Sequence, residues 1–394
     1  MGKVLILSSK SPYPVRDGAA IRTFQSIRIF AELGYSVDVL YISEIDDYEI
    51  VKQGIGGLCG NIYHYVITKR QSYLKVLIGL FTNLRPLQVN YFFSCSASRW
   101  IRKNAKSYDL IYCNNIRVAW YARNLEVTKI LDFVDAYSMN YQTAKEKIKG
   151  IWHWIYTIDL PRCERFEQQM LQAFDKCLII SQIDKDYILA HAQKAKEISV
   201  IENYIEVDIS KCVNIDSKKC NLVFVGAMNY EPNVSAVKYF SSKIMPALIA
   251  KYPDIHFYIV GKTPTPEVMA LADEHTIVTG YVDSTWDYLK DATVVVTPML
   301  SGSGLQNKIL QALAVGACVV TTPKGFEGLI NDAGQPFVAK DDKEMLDIIS
   351  HLIDHPEERQ NQIVLSMEYV QKHYAVSVIK EKFTQMLSSI PAKQ

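Results

Sequence analysis

The stretch KVLILSSKSPYPVRDGAAIRTFQSIRIFAELGYSVDVLYI, residues 3–42, decides the fold class of this chain. It begins with the apolar run Val4–Leu7, which is typical of a strand, and a loop with proline and glycine follows. Apolar residues then recur at helical spacing over Ala19–Leu33, and Gly34 is placed to end that helix. Val37–Ile42 is again strand-like. The order strand, helix, strand predicts a βαβ unit and therefore a parallel sheet.

The alternation of strand-like and helical segments continues through the rest of the 394 residues. Further strands are predicted at Asn61–Ile67, Leu110–Cys113, Lys129–Phe133, Cys177–Ile180, Leu222–Val225, Ile255–Val260, Ile277–Thr279, Val294–Thr297 and Cys318–Thr321. Further helices are predicted at Ser72–Asn104, Ile151–Phe174, Val234–Lys251, Lys308–Val315, Met345–Ile353 and Val376–Leu387. This pattern is typical of the α/β class.

The polar stretch Ser210–Cys220 is interpreted as a linker between two halves of similar size. We therefore predict two Rossmann-like domains facing a cleft, one in residues 1–209 and one in residues 210–375. A C-terminal helix in residues 376–394 is expected to pack back on the first domain. Ligands of such sheets bind outside the carboxyl ends of the strands, so the cleft is the predicted site.

Charge and composition exclude several classes of protein. The formal net charge is +1, from 43 basic and 42 acidic residues, whereas a nucleic-acid-binding protein normally has a basic excess. A hydrophobic fraction of 49% argues against disorder. The eight cysteines and eight histidines show no metal-binding spacing, so no metal site is expected. The run Val4–Leu7 is too short for a signal peptide and no run is long enough to span a membrane, so we expect a cytoplasmic location.

The segment PMLSGSGLQNKILQALA, residues 298–314, runs from an apolar strand through a Gly/Ser loop into a helix. The free N–H groups and the dipole at such a helix start suit a phosphate group, and Lys308 adds a cation in the first turn. The spacing is not that of a Walker A loop. A tight turn followed by a solvated lysine explains the same residues, so both interpretations stay open.

A second loop of this kind lies in the first half, where Asp17, Gly18 and Ala19 lead into a helix. The backbone of such a loop can approach a phosphate or an acceptor closely, and Arg22 places a cation in the first helical turn. An ordinary turn between strand and helix is the alternative.

Several segments together resemble a known family. They are SPYPVRDGAAIRT (11–23) and DFVDAYS (132–138) in the first half, and FVGAMNYEPN (224–233), GYV (280–282) and GLQNKILQALA (304–314) in the second. Their order and spacing are similar to the GT-B, family-4 type retaining glycosyltransferases, in particular the branch that assembles bacterial cell-surface polysaccharides. The resemblance implies a hexosyltransferase-type enzyme that moves a sugar from a nucleoside-diphosphate sugar to a glycan or lipid-linked acceptor, without a cofactor.

The resemblance also assigns donor-binding residues in the second half. Members of the family carry two glutamates with seven residues between them, and the aligned positions here are Ser303 and Gln311. The arginine that usually faces the diphosphate in this family is replaced by Ala227 here. Lys308, together with the helix start, is therefore expected to supply the positive charge. For Glu327, a solvated loop carboxylate is the alternative. The predicted donor-binding residues are Gly226, Asn229, Gly280, Tyr281, Val282, Ser303, Gly304, Leu305, Gln306, Asn307, Gln311 and Glu327.

Fewer side chains are assigned in the first half. The histidine that the family often places near the donor sugar is missing, and Asn114 stands after the corresponding strand. We expect Asn114 to bond sugar hydroxyls, with a turn-forming role as the alternative. Asp135 is expected to bind the acceptor or to order its loop. The predicted catalytic residues are Lys308, Arg22 and Asn114, and the predicted acceptor-binding residues are Asp17, Gly18, Ala19 and Asp135.

The stretch from Lys69 to Arg85 mixes basic and apolar residues. Contact with an anionic membrane, where a lipid-linked acceptor would be met, is one interpretation. A helix packed in the core of the first domain is the alternative.

Two other functions stay open at the level of sequence. A nucleotide-sugar epimerase or hydrolase has the same architecture, although the histidines and carboxylates at its usual catalytic places are missing. A degenerate paralogue that binds a nucleotide sugar without turnover is favoured by Ser303 and Gln311, which stand where the family has glutamates.

Overall fold

The computed structural model describes residues 2–15, 18–192, 194, 196–206, 220–302 and 304–390. The chain divides into two compact units. Met1–Asn203 and Lys380–Gln394 form the first unit, and Tyr204–Ile379 forms the second. Asp17, Ser303 and the part of the predicted linker that precedes Cys220 lie outside the described residues. Across the described ranges, no helix combines the length and the apolar character that crossing a membrane requires.

The first unit is built on a parallel sheet of seven strands. The strands are β1 (Lys3–Ser8), β2 (Ser36–Ser43), β3 (Asn61–Val66), β4 (Leu110–Asn114), β5 (Thr128–Asp132), β6 (Lys176–Ile179) and β7 (Ser199–Val200). Their order is β3-β2-β1-β4-β5-β6-β7, with Val4 opposite Val37 on one side and Leu110 on the other. Because the chain order reverses between β1 and β4, the carboxyl ends of these strands border the crevice where such sheets bind ligands.

Helices connect the strands of this sheet. They are α1 (Gly18–Glu32), α2 (Tyr48–Ile55), α3 (Lys69–Thr82), α4 (Leu87–Tyr91), α5 (Cys95–Asn104), α6 (Ile116–Ala122), α7 (Tyr137–Lys147), α8 (Ile151–Ala173) and α9 (Gln182–Ala190). In α1, Ile27 and Phe30 are fully buried, as the helical spacing predicts.

The second unit has a parallel sheet of six strands. They are β8 (Asn221–Val225), β9 (His256–Val260), β10 (Thr276–Gly280), β11 (Val294–Thr297), β12 (Val319–Thr321) and β13 (Phe337–Val338), in the order β10-β9-β8-β11-β12-β13. The chain order reverses between β8 and β11. The carboxyl ends of these two strands therefore mark the switch point of the second sheet.

The helices of the second unit follow the same alternation. They are α10 (Glu231–Tyr239), α11 (Met245–Lys251), α12 (Pro266–Met269), α13 (Trp286–Lys290), α14 (Asn307–Ala314), α15 (Pro323–Phe326), α16 (Asp342–Asp354), α17 (Pro356–Tyr374) and α18 (Val376–Ser388). By the division given above, α18 begins in the second unit and ends in the first. There Phe383 lies 6.2 Å from Phe30, measured between ring centroids.

Two of the predicted helical segments are helical but not a single regular helix. The predicted helix Ser72–Asn104 is divided into α3, α4 and α5, and Pro86 lies at the break before α4 with its φ fixed by the ring. The predicted helix Val234–Lys251 is interrupted by a π-helical turn at Phe240–Ile244, and Pro246, which has no N–H to donate, follows at the start of α11.

Eight helices of the described ranges have no counterpart among the predicted helices, namely α2, α6, α7, α9, α12, α13, α15 and α17. The buried side of α17 includes Ser366, Tyr369 and Tyr374. Residues with polar atoms on the inner face weaken the apolar period on which helix prediction relies. The helix is nevertheless anchored, since Tyr369 donates from its hydroxyl to the carbonyl of Ile330 over 2.6 Å.

Candidate functional site

The candidate site of the second unit lies at its switch point. Strand β8 ends at Val225 and runs into Gly226, and β11 ends at Thr297 and runs into the Gly/Ser loop before α14. These two connections lie at the same edge of the sheet because β8 and β11 are parallel neighbours. The predicted phosphate-binding loop is therefore at the place where the topology expects a ligand.

Three glycines allow the backbone to pack closely at this edge. A Cβ atom on Gly226 would lie 2.5 Å from Asn233 Nδ2, and that amide donates to the carbonyl of Ala227 over 2.9 Å. Gly261, at the end of β9, has φ +155° and approaches the carbonyl of Gly226. The N–H of Gly261 donates to the carbonyl of Gly280 over 3.2 Å. A continuous series of contacts thus joins the ends of β8, β9 and β10.

We predict that Gly261→Ala strongly destabilises the second unit. A Cβ at this position would lie 1.7 Å from the carbonyl oxygen of Gly226, and the positive φ adds strain for any L side chain. We expect the free energy of unfolding to fall by more than about 3 kcal/mol in denaturant titration. Gly57→Ala is the matched control, because a Cβ there meets nothing within 4 Å. An equal, small effect of both changes would contradict the prediction.

Lys308 is the central cation of the site. It lies in the first turn of α14, and its Nζ donates to Asn233 Oδ1. Nζ also lies 3.7 Å from Met299 Sδ and 4.6 Å from the ring centroid of Phe224. Burial against these groups lowers the pKa of Lys308 to about 7. No carboxylate of the described residues forms an ion pair with it, so the cation stands at a helix start without a counter-ion there.

The loop before α14 satisfies part of the start of this helix. The N–H groups of Asn307 and Ile309 donate to the carbonyls of Leu305 and Gln306 over 3.1 Å and 2.9 Å. Gly302 has φ +109° and Gly304 has φ +70°. Gln306, at the N-cap position, makes no capping bond with its side chain. Ser301 Oγ lies 3.4 Å from Glu231 Oε2, which connects this loop to the start of α10. Within the described residues, Lys308 and the positive end of the α14 dipole make this helix start suit a phosphate or diphosphate group.

The other predicted donor-binding residues take different environments. Gly280 has φ +69° at the end of β10, and the following Tyr281 is 73% exposed. Gln311 is half-buried on α14. Glu327 accepts from Lys324 Nζ, so this carboxylate already has a cation partner. Of the remaining predicted donor-binding residues, Asn229 is exposed and Leu305 is buried. Three others are half-buried, namely Val282, Gln306 and Asn307.

Asn233 and Gly261 belong to the site although sequence reasoning did not select them. Asn233 holds both Lys308 Nζ and the carbonyl of Ala227, and Gly261 permits β9 to approach β8. The signal for Asn233 was present, since it is the last residue of the segment FVGAMNYEPN. Its importance depends on a contact with a residue 75 positions away, which spacing does not reveal.

Arg22, predicted as a catalytic cation, lies in a buried ion pair. Arg22 is only 1% exposed, and its Nε donates to Asp132 Oδ2 over 2.5 Å. Its Nη1 donates to the carbonyl of Glu202 over 3.0 Å, and its guanidinium lies 5.5 Å from the ring centroid of Phe383. Tyr112 donates its hydroxyl to the same carboxylate. Arg22 is therefore the centre of a buried ion pair that joins α1 to β5, while its Nη2 has no hydrogen-bond partner among the described residues. The catalytic role of Arg22 stays a prediction.

The carboxyl edge of the first sheet carries the other predicted residues. Asn114 ends β4 and is 1% exposed, and its Nδ2 has no hydrogen-bond partner within the described part of the chain. Asp135 follows β5, accepts from Asn140 Nδ2 over 2.9 Å, and has its pKa raised to about 6 by burial and by the nearby Asp184. Gly18 and Ala19 form the first turn of α1. Their roles toward sugar or acceptor stay predictions.

Backbone strain is concentrated at this same edge. Asn115 has φ +80° and Val134 has φ +68°, a costly conformation for a β-branched residue. The N–H of Asn115 donates to the carbonyl of Asp132 over 2.8 Å, which fixes the two loops against each other. Among the described residues no group of three or more histidine, cysteine, aspartate or glutamate side chains is placed to hold a metal ion.

Comparison with known proteins defines the class of the second unit. Residues 219–355 match the family model described as glycosyl transferases group 1. These residues lie within the second unit and include Gly226, Gly261, Lys308 and α14. The switch-point site therefore lies in the part of the chain that is similar to the group 1 glycosyl transferases.

The whole chain is similar in fold to solved glycosyltransferase structures. TarM from S. aureus has a TM-score of 0.73 at 10% identity, covering 99% of each chain. Sucrose-phosphate synthase from Thermosynechococcus elongatus has a TM-score of 0.71 at 15% identity, covering 98% of each chain. HepE from Anabaena in complex with UDP has a TM-score of 0.70 at 13% identity, covering 98% of this chain and 100% of HepE. The predicted fold class, two α/β domains with parallel sheets of the GT-B type, is confirmed.

A relative by sequence is described as an "Uncharacterized 44.6 kDa protein in cps region" of Klebsiella pneumoniae. It is 25% identical over 373 residues, which cover 90% of this chain and 91% of the relative.

Proposed function

We propose that this protein is a retaining glycosyltransferase that transfers a hexose from a UDP-sugar to a glycan or lipid-linked acceptor. The observation that carries the proposal is Lys308, a cation without a carboxylate partner in the described residues, at the start of α14. Its place at the switch point, in the part of the chain that is similar to the group 1 glycosyl transferases, supports a nucleotide-sugar ligand. The choice of UDP as the nucleotide of the donor is supported by HepE, whose structure holds UDP.

The proposed chemistry needs the leaving diphosphate to be stabilised. When the bond between the sugar and the diphosphate breaks, negative charge increases on the diphosphate oxygens. Lys308 and the positive end of the α14 dipole are already oriented at the edge of the sheet, so they lose little free energy to reorganisation. Asn233 and Phe224 hold the lysine stem in place. Positioning and charge stabilisation are therefore the main contributions of this unit.

We also propose that the transfer serves the synthesis of a cell-surface polysaccharide. This role is supported by the resemblance noted above and by the relative described as lying in a cps region. Asp135 is proposed to bind the acceptor, because its carboxyl follows β5 at the carboxyl edge of the first sheet and is only half-buried. With its pKa raised to about 6, this group is close to the range in which a carboxylate can accept a proton from a sugar hydroxyl.

The direct test is a thermal-shift panel of nucleoside-diphosphate sugars, followed by turnover with the member that stabilises most. We expect UDP-sugars to raise Tm and an acceptor to release UDP with the sugar transferred. Product analysis separates the alternatives, because an epimerase returns an altered nucleotide sugar and a hydrolase returns free sugar. If no nucleotide sugar raises Tm, the proposal is wrong.

A binding-only protein is a second candidate, and Gln311 is the observation that favours it. The amide of Gln311 can accept from a ribose hydroxyl, but it lacks the charge of a carboxylate. If the protein binds UDP-sugars without turnover and Gln311→Glu restores transfer, the degenerate form is the better description. If the unchanged protein transfers sugar, the glutamine is sufficient and the second candidate fails.

Donor affinity is expected to depend on pH through Lys308. Only its charged form attracts the diphosphate, and the pKa of about 7 means that the free protein loses this charge above neutral pH. We expect the Kd for a UDP-sugar to rise about tenfold between pH 6 and pH 8, since a UDP-sugar has no diphosphate proton that titrates there. Lys308→Arg is the control, because arginine stays charged throughout and should give a flat profile. A pH-independent Kd for the unchanged protein would contradict this.

A further inference from the structure

Helix α3 exposes its large apolar residues to solvent and packs small residues against the protein. Its buried positions are Ser72 and Gly79, and Gly79 packs against Asn90 of α4. The outward residues recur at helical spacing and form one face of the helix. They are Tyr73, Leu74, Leu77, Ile78 and Phe81, which are 63%, 57%, 57%, 52% and 81% exposed. This is the reverse of a helix that covers a core, so the apolar side is expected to have a partner outside the chain.

The first turns of α8 extend this exposed surface. Ile151, Trp152, Trp154 and Ile158 are 72%, 58%, 67% and 48% exposed. The two helices are directly connected, since Arg162 Nη2, one turn after Ile158, donates to the carbonyl of Leu80 over 2.7 Å. We call the outward residues of α3 together with these four residues of α8 the apolar face. Two exposed tryptophans on one surface are unusual for a side that stays in water.

The charge around the apolar face indicates what it meets. Residues 50–108, which include all of α3, contain nine lysines and arginines and no aspartate or glutamate, although the whole chain has a net charge of only +1. Lys69 and Arg70 begin α3 and are exposed, with Lys69 in an exposed ion pair with Glu44 over 3.7 Å, and Lys149 is exposed just before α8. Basic residues beside exposed aromatic and aliphatic side chains are typical of a surface that binds anionic lipid. A second copy of the chain fits less well, because a symmetric contact through this face would bring like charges together.

We propose that the apolar face is a docking surface for an anionic phospholipid bilayer. Phe81 and the two tryptophans enter the boundary between headgroups and acyl chains, and Lys69, Arg70 and Lys149 face the phosphates. The use of this docking rests on the proposed function, because docking would bring the first unit to a lipid-linked acceptor. The sequence interpretation of the segment from Lys69 to Arg85 named only α3, and the part contributed by α8 depends on the tertiary structure.

Binding of the full chain to vesicles tests the docking surface. We expect co-sedimentation with phosphatidylcholine vesicles that contain phosphatidylglycerol, weaker binding without it, and weaker binding at high salt. The double variant Leu77→Glu/Phe81→Glu is expected to lower the partition coefficient at least about tenfold. These side chains are exposed, so the fold should tolerate the change. Val364→Glu is the control, because Val364 is 51% exposed on α17 of the second unit and is not part of the apolar face.

Tryptophan fluorescence gives a second readout. Entry of Trp152 and Trp154 into the lipid boundary should shift the emission to shorter wavelength, and Trp152→Phe/Trp154→Phe should remove the shift. Absence of binding to anionic vesicles, or equal binding by the Leu77→Glu/Phe81→Glu variant, overturns the proposal. The proposal is also overturned if the unchanged protein forms a concentration-dependent dimer that the Leu77→Glu/Phe81→Glu variant does not form, because the apolar face then binds a second copy of the chain.

Nucleotide-sugar binding is measured on the same proteins. If vesicle binding fails while UDP-sugars still raise Tm, the docking surface is wrong and the proposed function stands. If vesicle binding is found but no nucleotide sugar raises Tm, the proposed function fails independently.

Discussion

Replacing Lys308 by methionine is expected to weaken donor binding by about a hundredfold or more and to remove detectable transfer. Methionine retains the packing against Phe224 and Met299 but removes the positive charge from the start of α14. A charged hydrogen bond to a diphosphate in a partly desolvated site contributes about 2–4 kcal/mol, which corresponds to this loss. Isothermal titration with UDP and a UDP-sugar measures the affinity, and UDP release with an acceptor measures kcat.

The same change is expected to stabilise the protein without ligand. Because burial lowers the pKa of Lys308 to about 7, the folded state holds its proton less tightly than the unfolded state does. The charged lysine therefore costs stability at and below neutral pH, and that cost decreases as pH rises from about 7 toward 10.5. We expect Lys308→Met to raise the free energy of unfolding by about 1–3 kcal/mol at pH 7, allowing for partial exposure of the side chain.

Lys251→Met is the control for both measurements. Lys251 pairs with Asp354 on an exposed surface of the second unit, so its loss should change neither donor affinity nor stability appreciably. If Lys308→Met binds UDP as tightly as the unchanged protein does, the assignment of the diphosphate site to α14 is wrong. A drop in stability would instead show that Lys308 has a structural role.

Breaking the buried ion pair between Arg22 and Asp132 is expected to be strongly destabilising. Asp132→Asn keeps the size of the side chain but leaves the Arg22 guanidinium in the core without its carboxylate partner. Removal of one partner from a buried pair costs about 3–5 kcal/mol. Denaturant unfolding at neutral pH measures the change, and we expect the midpoint to fall with an unchanged m-value.

Arg28→Met is the control, because Arg28 forms an exposed pair with Glu32 on the same helix, and such pairs contribute less than about 1 kcal/mol. The double variant Arg22→Met/Asp132→Asn should recover much of the loss, since no uncompensated charge then remains. If Arg22→Met were instead to leave stability unchanged and lower donor affinity, the catalytic role expected from the sequence would be supported.

Local patterns predicted most of the architecture. The apolar runs found most of the strands in both sheets, because a parallel strand with helices on both faces needs a nearly continuous apolar sequence. The loop before α14 was also predicted as a phosphate site, since glycines, a helix start and Lys308 are adjacent in the chain. Helices whose inner face contains tyrosine and serine, such as α17, were missed because their apolar period is weak.

Residue patterns along the chain predict the alternation of strands and helices, the two parallel sheets and the place of Lys308 at a helix start. The burial of Arg22, and the contact of Lys308 with Asn233 instead of a carboxylate, are visible only in the folded protein. The physical reason is that the environment of a charge depends on residues brought beside it by strand order. Asp132 is 110 positions from Arg22, and it becomes its partner because β5 lies two strands from β1 in the sheet.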